Sequence, residues 1–546
     1  MEDTNNNTVG KLSKIKFGTC WLIITLLYVL VRINIINIPL ERDEGLFGYI
    51  GQLILNHGLP YRDAFEQKPP VVYYIYALAL LLVRPTSSGI HIFLHLYNFL
   101  SLLALYFLSK IYFRSSSAGL WAALSYAILS SELAIQGFMA SSEMFLLLPI
   151  SLSLLFAVLA IRKSNLAFFI LSGITGALAC WTKQIAVFIV LFILLYMISS
   201  YLSSPNKTFI GITKILLAWC AGALGVSLII MAYFYHKGVF SEFIYWSFEH
   251  GMYYSRKADS KYIVEYYFYQ IKNILIGNFI LIGVSLLFGF IGIFKRDKSG
   301  FFVLGFIAFS LMGTIPGYAY AHYFAVIAPS LAVGAGYGFS NFADMIKGGN
   351  RKLAASILCA MLVILPPIIV NSGYYFLESP NQISRDFYGY NPFPESAELA
   401  EYIARNTNPD DRVFIFGTEP QILFYSQRKS ATSHVAIYPL MANFQRHEEF
   451  QRKAWQEIIS NSPKYVLFVN IPTSVMWDRK ASPWLLEQTL KMLESDYYLE
   501  AVMVIVGEKG QLIALSSVQD EAETDKYWRQ AAIFVYRKRN SSIPVH

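Results

Sequence analysis

Long apolar runs separated by short polar knots make up most of this chain. The runs are Cys20–Ile36, His91–Leu108, Leu120–Leu133, Met144–Ile161, Leu166–Trp181, Ile185–Tyr201, Ile215–Tyr235, Ile271–Phe294, Phe301–Ile315, Tyr323–Phe342 and Leu353–Val370. Roughly 20 apolar residues are needed to cross ~30 Å of hydrocarbon. In lipid such runs must be helices, because each segment has to satisfy its own backbone. The pattern predicts a polytopic α-helical membrane protein with about 11 transmembrane helices. Val71–Val83 is short for a span and reads as a juxtamembrane or partly inserted helix; two further crossings there, about 13 in all, are the alternative.

The period changes in two places. Leu46, Phe47, Ile50, Leu53 and Ile54 recur at helical spacing, predicting an amphipathic helix over Leu46–Asn56 that lies in the membrane interface. Pro69-Pro70 then stops the chain and suits the first turn of a new helix. From Tyr374 charge and proline return and no run is long enough to span. Arg412–Gly417, Lys464–Val469, Glu500–Val506, Leu512–Ser516 and Ala532–Tyr536 read as short buried strands. Ser396–Asn406, Gln451–Ser460 and Trp484–Glu494 read as helices between them. This predicts a C-terminal soluble α/β domain.

Composition supports this reading. Of 546 residues 55% are hydrophobic and only 15% charged, which excludes an ordinary soluble domain. The net charge of +8 is spread over short loops, so it fits the positive-inside bias better than a nucleic-acid surface. With the basic loops cytoplasmic, residues 1–16 form a cytoplasmic tail and 17–373 the membrane domain. Outer loops fall at 38–70 and 236–270, and 374–546 is extracytoplasmic. The expected location is a cell membrane of bacterial inner or plasma type, crossed many times. Cys20, Cys180, Cys220 and Cys359 sit in apolar runs without metal-ligand spacing.

Candidate chemistry collects on the expected outer face. Glu41, Arg42, Asp43 and Glu44 pack three carboxylates and a guanidinium into four residues, and Arg62, Asp63, Glu66 and Lys68 form a second knot. Other outer segments add Glu132, Glu143, Lys183, Glu249, His250, Arg256, Lys257, Tyr318, Tyr320 and His322. Carboxylates beside an apolar surface suit a general base or a divalent cation, which no spacing demands. Lysine and arginine near the interface suit a phosphate head group. The tyrosines of 243–269 suit interface anchoring and sugar stacking alike. Together these point to an enzyme acting on a lipid-linked phosphate, and to glycosyl transfer from a polyprenyl-phosphate sugar. A transporter, flippase or lipid-linked-glycan binding protein is the competing class. Transporters place charge near the midplane in repeated halves, and no repeat is visible here.

The runs ERDEG and YRDAFEQKPPVVYYIYAL resemble the first outer loop of bacterial GT-C-type membrane glycosyltransferases, similar to dolichyl-phosphate-mannose–protein mannosyltransferases and lipid A aminoarabinose transferases. SSEMFLLLPISLSLL at 141–155, GALACWTKQIAVF at 176–188, GYAYAHYFAVIAPSLA at 317–332 and PESAELAEYIARNTNPDDRVFIFGTEPQILFYSQRK at 394–429 follow in family order. The resemblance implies transfer of a sugar from a polyprenyl-phosphate donor to a lipid, glycan or protein acceptor, with inversion. It makes Asp43 the general base or a residue that orients the acceptor or a cation, with Glu44 and Glu66 as further catalytic candidates; Gln67 stands between Glu66 and Lys68. Lys68 and Lys183 are expected at the donor phosphate, with Arg42, Arg256 and Lys257 as additional cations. Tyr318, His322 and Tyr323 match a cavity wall. Glu143 stands where relatives often carry an aspartate.

Overall fold

The apolar runs form helices. The computed structural model describes residues 17–205, 207–256, 260–517 and 521–539. Among them, seven helices are long and apolar enough to cross a membrane: Phe17–Asn37, Ser87–Phe113, Ser142–Lys163, Phe209–His236, Lys261–Phe294, Ala321–Met345 and Gly349–Val370. Five shorter apolar helices, Val71–Leu82, Ser116–Leu129, Leu166–Thr182, Ala186–Leu202 and Lys298–Met312, fall on the remaining expected runs. The chain is a multi-pass membrane protein. The 1–16 tail lies outside the described residues.

The chain divides into two compact units. The first takes the N-terminal segment through Ile36 with Leu94–Tyr233 and Lys257–Leu377. Its helices meet through small residues. A Cβ on Gly173 would lie 2.0 Å from the Trp219 carbonyl, and one on Gly222 2.2 Å from that of Ile170. Such close approach is how helices associate where lipid removes the hydrophobic drive. Leu224, Leu228 and Ile229 remain exposed, as a lipid-facing surface requires. The Ser116–Leu129 helix ends earlier than the apolar run that encodes it, because Ser130 and Ser131 turn their hydroxyls back onto the carbonyls of Tyr126 and Ile128.

The second unit gathers Asn37–Phe93, Phe234–Arg256 and Glu378–His546. It contains a six-stranded sheet in the order β2-β1-β3-β6-β4-β5, where β1 is Arg412–Phe416, β2 Lys429–Ser430, β3 Tyr465–Val469, β4 Tyr497–Val506, β5 Lys509–Ala514 and β6 Ala531–Lys538. β1 pairs in parallel with β2 and β3, and the other pairs are antiparallel. The near-continuous apolar runs of β1 and β3 are what strands buried on both faces require.

Two local expectations are revised. The amphipathic helix does form, as Arg42–Leu55, but protein covers it rather than lipid: Leu46, Phe47, Tyr49 and Ile50 are all buried. Gly45 and Gly48 let the Pro420–Ser426 helix pack directly against it, with Gln52 Nε2 donating to the Phe424 carbonyl and Ser430 N to the Tyr49 hydroxyl. A Cβ on Gly45 would sit 2.5 Å from three atoms of Gln421. Gly45→Ala should therefore overpack this contact and lower stability by about 1–3 kcal/mol. A fall in the melting temperature of the detergent-solubilised protein is the expected reading, and an unchanged one would show that the contact yields. The second revision concerns residues expected in the 236–270 loop. Those in this unit are helical: Phe240–Ile244, a π-helical turn at Tyr245–His250, and Gly251–Arg256.

Candidate active site

The acidic knot is a helix start. Glu41 is the N-cap of Arg42–Leu55; its Oε1 accepts from Glu44 N at 2.9 Å, and Glu44 Oε2 accepts from Glu41 N at 3.2 Å. This reciprocal capping box satisfies two otherwise orphaned donors. Glu44 Oε1 also lies 2.8 Å from His91 Nε2, and both side chains are fully buried. Its oxygens are thus committed to holding the helix, a different setting from the catalytic role expected for it. Burial, with Asp43 and Glu44 adding to it, pushes the Glu41 carboxyl well above the usual carboxylate range.

Asp43 is placed differently. Its side chain keeps 34% exposure and meets Lys68, whose Nζ donates to Asp43 Oδ2 at 3.2 Å. The same Nζ donates to Glu66 Oε1 at 2.9 Å, and Lys68 N to Glu66 Oε2 at 2.8 Å. The intervening Gln67 therefore does not separate Glu66 from Lys68. Burial opposes the Lys68 charge, but Asp43 and Glu66 outweigh it and hold the ammonium well above the usual lysine range; Tyr438 adds to this. Burial raises the Glu66 carboxyl, with Lys68 working against the rise. The trio carries one surplus negative charge, and Asp43 is its accessible member.

The backbone around the trio is tightly constrained. Tyr61 has φ +66°, an uncommon conformation for a bulky residue that costs about 1–3 kcal/mol. Its hydroxyl donates to the Lys68 carbonyl at 2.7 Å, and the Tyr73 hydroxyl donates to the same oxygen at 3.0 Å. Phe65 N donates to the Ser433 carbonyl at 2.9 Å, and its ring stacks on Trp246 and contacts His434. Arg42 departs from its expected phosphate role. Its guanidinium is taken by Glu419 at 2.6 Å, the Thr418 carbonyl and Asn391. Lys257 lies outside the described residues, and Arg256 is described in its backbone only.

A second cluster forms in the first unit. Ser141 caps the Ser142–Lys163 helix and sets buried Glu143 in its first turn. Lys183, the C-cap of Leu166–Thr182, donates to Glu143 Oε1 at 2.6 Å, and the Ser142 hydroxyl donates to Oε2 at 2.9 Å. His322 Nε2 lies 3.8 Å from Glu143 Oε1. Its other face meets Gln136 Oε1, which accepts from His322 N at 3.2 Å and pairs with ring Nδ1 at 2.7 Å. Lys183 Nζ stands 4.7 Å from the Tyr323 ring centroid, and Tyr318 stacks on Tyr320, which stacks on His322. The structure thus brings together Glu143, Lys183, His322 and Tyr323, all expected, and adds Gln136. Its only local signal in the sequence is its place before Gly137 at the end of a short turn, where it adopts φ +52°.

Among the described residues, no group of three or more His, Cys, Asp and Glu side chains is arranged to hold a metal ion.

Residues 67–232, which include Lys68, Glu143 and Lys183, match the family model for dolichyl-phosphate-mannose-protein mannosyltransferase. No curated protein sequence matches the chain. Two solved structures align over almost the whole length. ArnT from Cupriavidus metallidurans bound to undecaprenyl phosphate is 12% identical, with a TM-score of 0.61, over 91% of this chain and 98% of that one. The same protein in the apo state aligns with the same identity and TM-score over 92% and 98%. The resemblance to GT-C glycosyltransferases therefore holds for the matched segment and for the fold.

Proposed function

We propose that this chain, with the fold of ArnT and a segment that matches a mannosyltransferase family, is an integral-membrane glycosyltransferase. It moves a sugar from a polyprenyl-phosphate donor to a lipid, glycan or protein acceptor of the cell envelope, on the outer face of the membrane. The observation that carries this reading is the Asp43–Lys68–Glu66 trio: an accessible carboxylate in contact with a buried, firmly charged lysine.

The chemistry is an inverting displacement. Asp43 takes the proton from an acceptor hydroxyl or amine as that atom bonds to the anomeric carbon. The bond from this carbon to the phosphate oxygen breaks, and polyprenyl phosphate leaves with the electron pair. A phosphate leaving group needs little acid catalysis, so one base and a cation suffice. Fixed charge aimed at the leaving group is usually a large term. Lys68 couples the two events. When its ammonium turns toward the phosphate, Asp43 loses a stabilising cation and becomes the stronger base. Glu66 stays beside the ammonium and keeps it charged as it turns.

Purified protein in liposomes with a polyprenyl-phosphate sugar should consume the donor and release polyprenyl phosphate. No donor consumption across a panel of such sugars and envelope acceptors would overturn the reading. Lys183 is assigned to phosphate recognition on its own setting. Lys183→Ala should raise the donor KM by about tenfold or more, one lost charge-assisted hydrogen bond, with acceptor KM little changed. An effect confined to the acceptor would remove that assignment. Glu143→Gln alongside Lys183→Ala separates loss of the cation from the cost of leaving Glu143 buried and unpaired.

A further inference from the structure

The first unit holds a buried carboxylate that the proposed chemistry does not use. Glu132 is 3% exposed. Its oxygens are met by two neutral amides: Asn278 Nδ2 donates to Oε1 and Asn371 Nδ2 to Oε2, each at 3.1 Å. Burying a carboxylate on neutral partners is costly.

What it joins is specific. Asn278 is the non-helical residue inside the Ser260–Phe294 helix, with φ −121° and ψ 17°. Its Nδ2 also donates to the Ile274 carbonyl at 3.2 Å, one turn back in the same helix. Asn371 is the C-cap of Gly349–Val370, and its Nδ2 and backbone N both donate to the Pro367 carbonyl. Glu132 therefore ties a helix kink and a helix end to the turn that it begins. In that turn its carbonyl accepts from Gly137 N at 2.9 Å, which fixes Gln136 in its left-handed conformation. Gln136 in turn holds His322 by main chain and ring.

We propose that Glu132 is a positioning residue for the His322 arm of the Glu143–Lys183 cluster. By anchoring the 132–137 turn to Asn278 and Asn371, it sets the Gln136 oxygen that orients the His322 ring toward Glu143. The functional part of this inference rests on the glycosyltransferase reading; the positioning part does not. A carboxylate suits the task because it only accepts hydrogen bonds and takes both amides at once. Asn278 Oδ1 is buried without a hydrogen-bond partner. A glutamine at 132 keeps an oxygen that accepts from Asn371, and its NH2 pairs with Asn278 Oδ1 once that amide turns over and releases the Ile274 carbonyl, which makes Glu132→Gln the conservative replacement.

The test uses the full chain in detergent and in liposomes. Reactivity of His322 toward diethyl pyrocarbonate, mapped by mass spectrometry, reports the arm whether or not the chain transfers sugar. Glu132→Leu should raise that reactivity severalfold, and Glu132→Gln should leave it close to wild type. In transfer assays Glu132→Leu should raise the donor KM more than it lowers kcat, and should add little to His322→Gln. Unchanged His322 reactivity in folded Glu132→Leu, or full additivity with His322→Gln, overturns the proposal. If Glu132→Leu does not fold, Asn371→Ala removes one arm of the staple and must shift His322 reactivity in the same direction; no shift overturns it. A wild type that transfers no sugar would overturn the function alone, and His322 reactivity would still decide the positioning.

Discussion

Asp43→Asn should reduce sugar transfer by about 10²–10⁴-fold, the usual contribution of a positioned base. The amide is nearly isosteric and still accepts the Lys68 Nζ–H, but it cannot take the acceptor's proton. Asp43 is the accessible member of the trio and is not the N-cap of its helix, so the substitution should cost little stability. Binding of undecaprenyl phosphate should stay near wild type. Transfer measured in liposomes beside lipid-phosphate affinity separates the two effects. Wild-type turnover in this variant would remove Asp43 from the mechanism.

Lys68→Met should act on both binding and stability. It removes the proposed phosphate cation, so the donor KM should rise by about tenfold or more. It also leaves Glu66, 3% exposed at its side chain, without its buried cation. Removing one partner of a buried pair costs about 3–5 kcal/mol, because the remaining charge is uncompensated. Glu66→Gln in the same chain removes that charge. The double variant should recover most of the melting temperature while remaining defective toward the donor. Recovery of activity together with stability would mean that Lys68 is a structural cation only.

These two variants test residues whose grouping was only partly legible in the amino-acid sequence. Apolar run length determined the membrane helices, because a segment in lipid has to satisfy its own backbone and needs no distant partner to do so. β1 and β3 were legible for a similar local reason, since a strand buried on both faces is apolar throughout, whereas the two-residue β2 left no such run. The contact between Glu66 and Lys68 is also local, although Gln67 obscured it until the fold of that turn was known. What only the tertiary structure decided lies in contacts between residues far apart in the chain. The guanidinium of Arg42 is held by Glu419, not free for a phosphate; Glu44 is buried against His91; Gln136 meets His322. Each is one side chain choosing among many partners of suitable charge, and no periodicity records the choice. The Arg42–Leu55 helix shows the same division. Its apolar face was plain from spacing, but whether lipid or protein covers it depended on Gly45 and Gly48 meeting a helix from the far end of the chain. The acidic stretch thus announced that chemistry was concentrated there. It also singled out Asp43 and Lys68; the packing showed that these two touch and that Arg42 and Glu44 are held by Glu419 and His91.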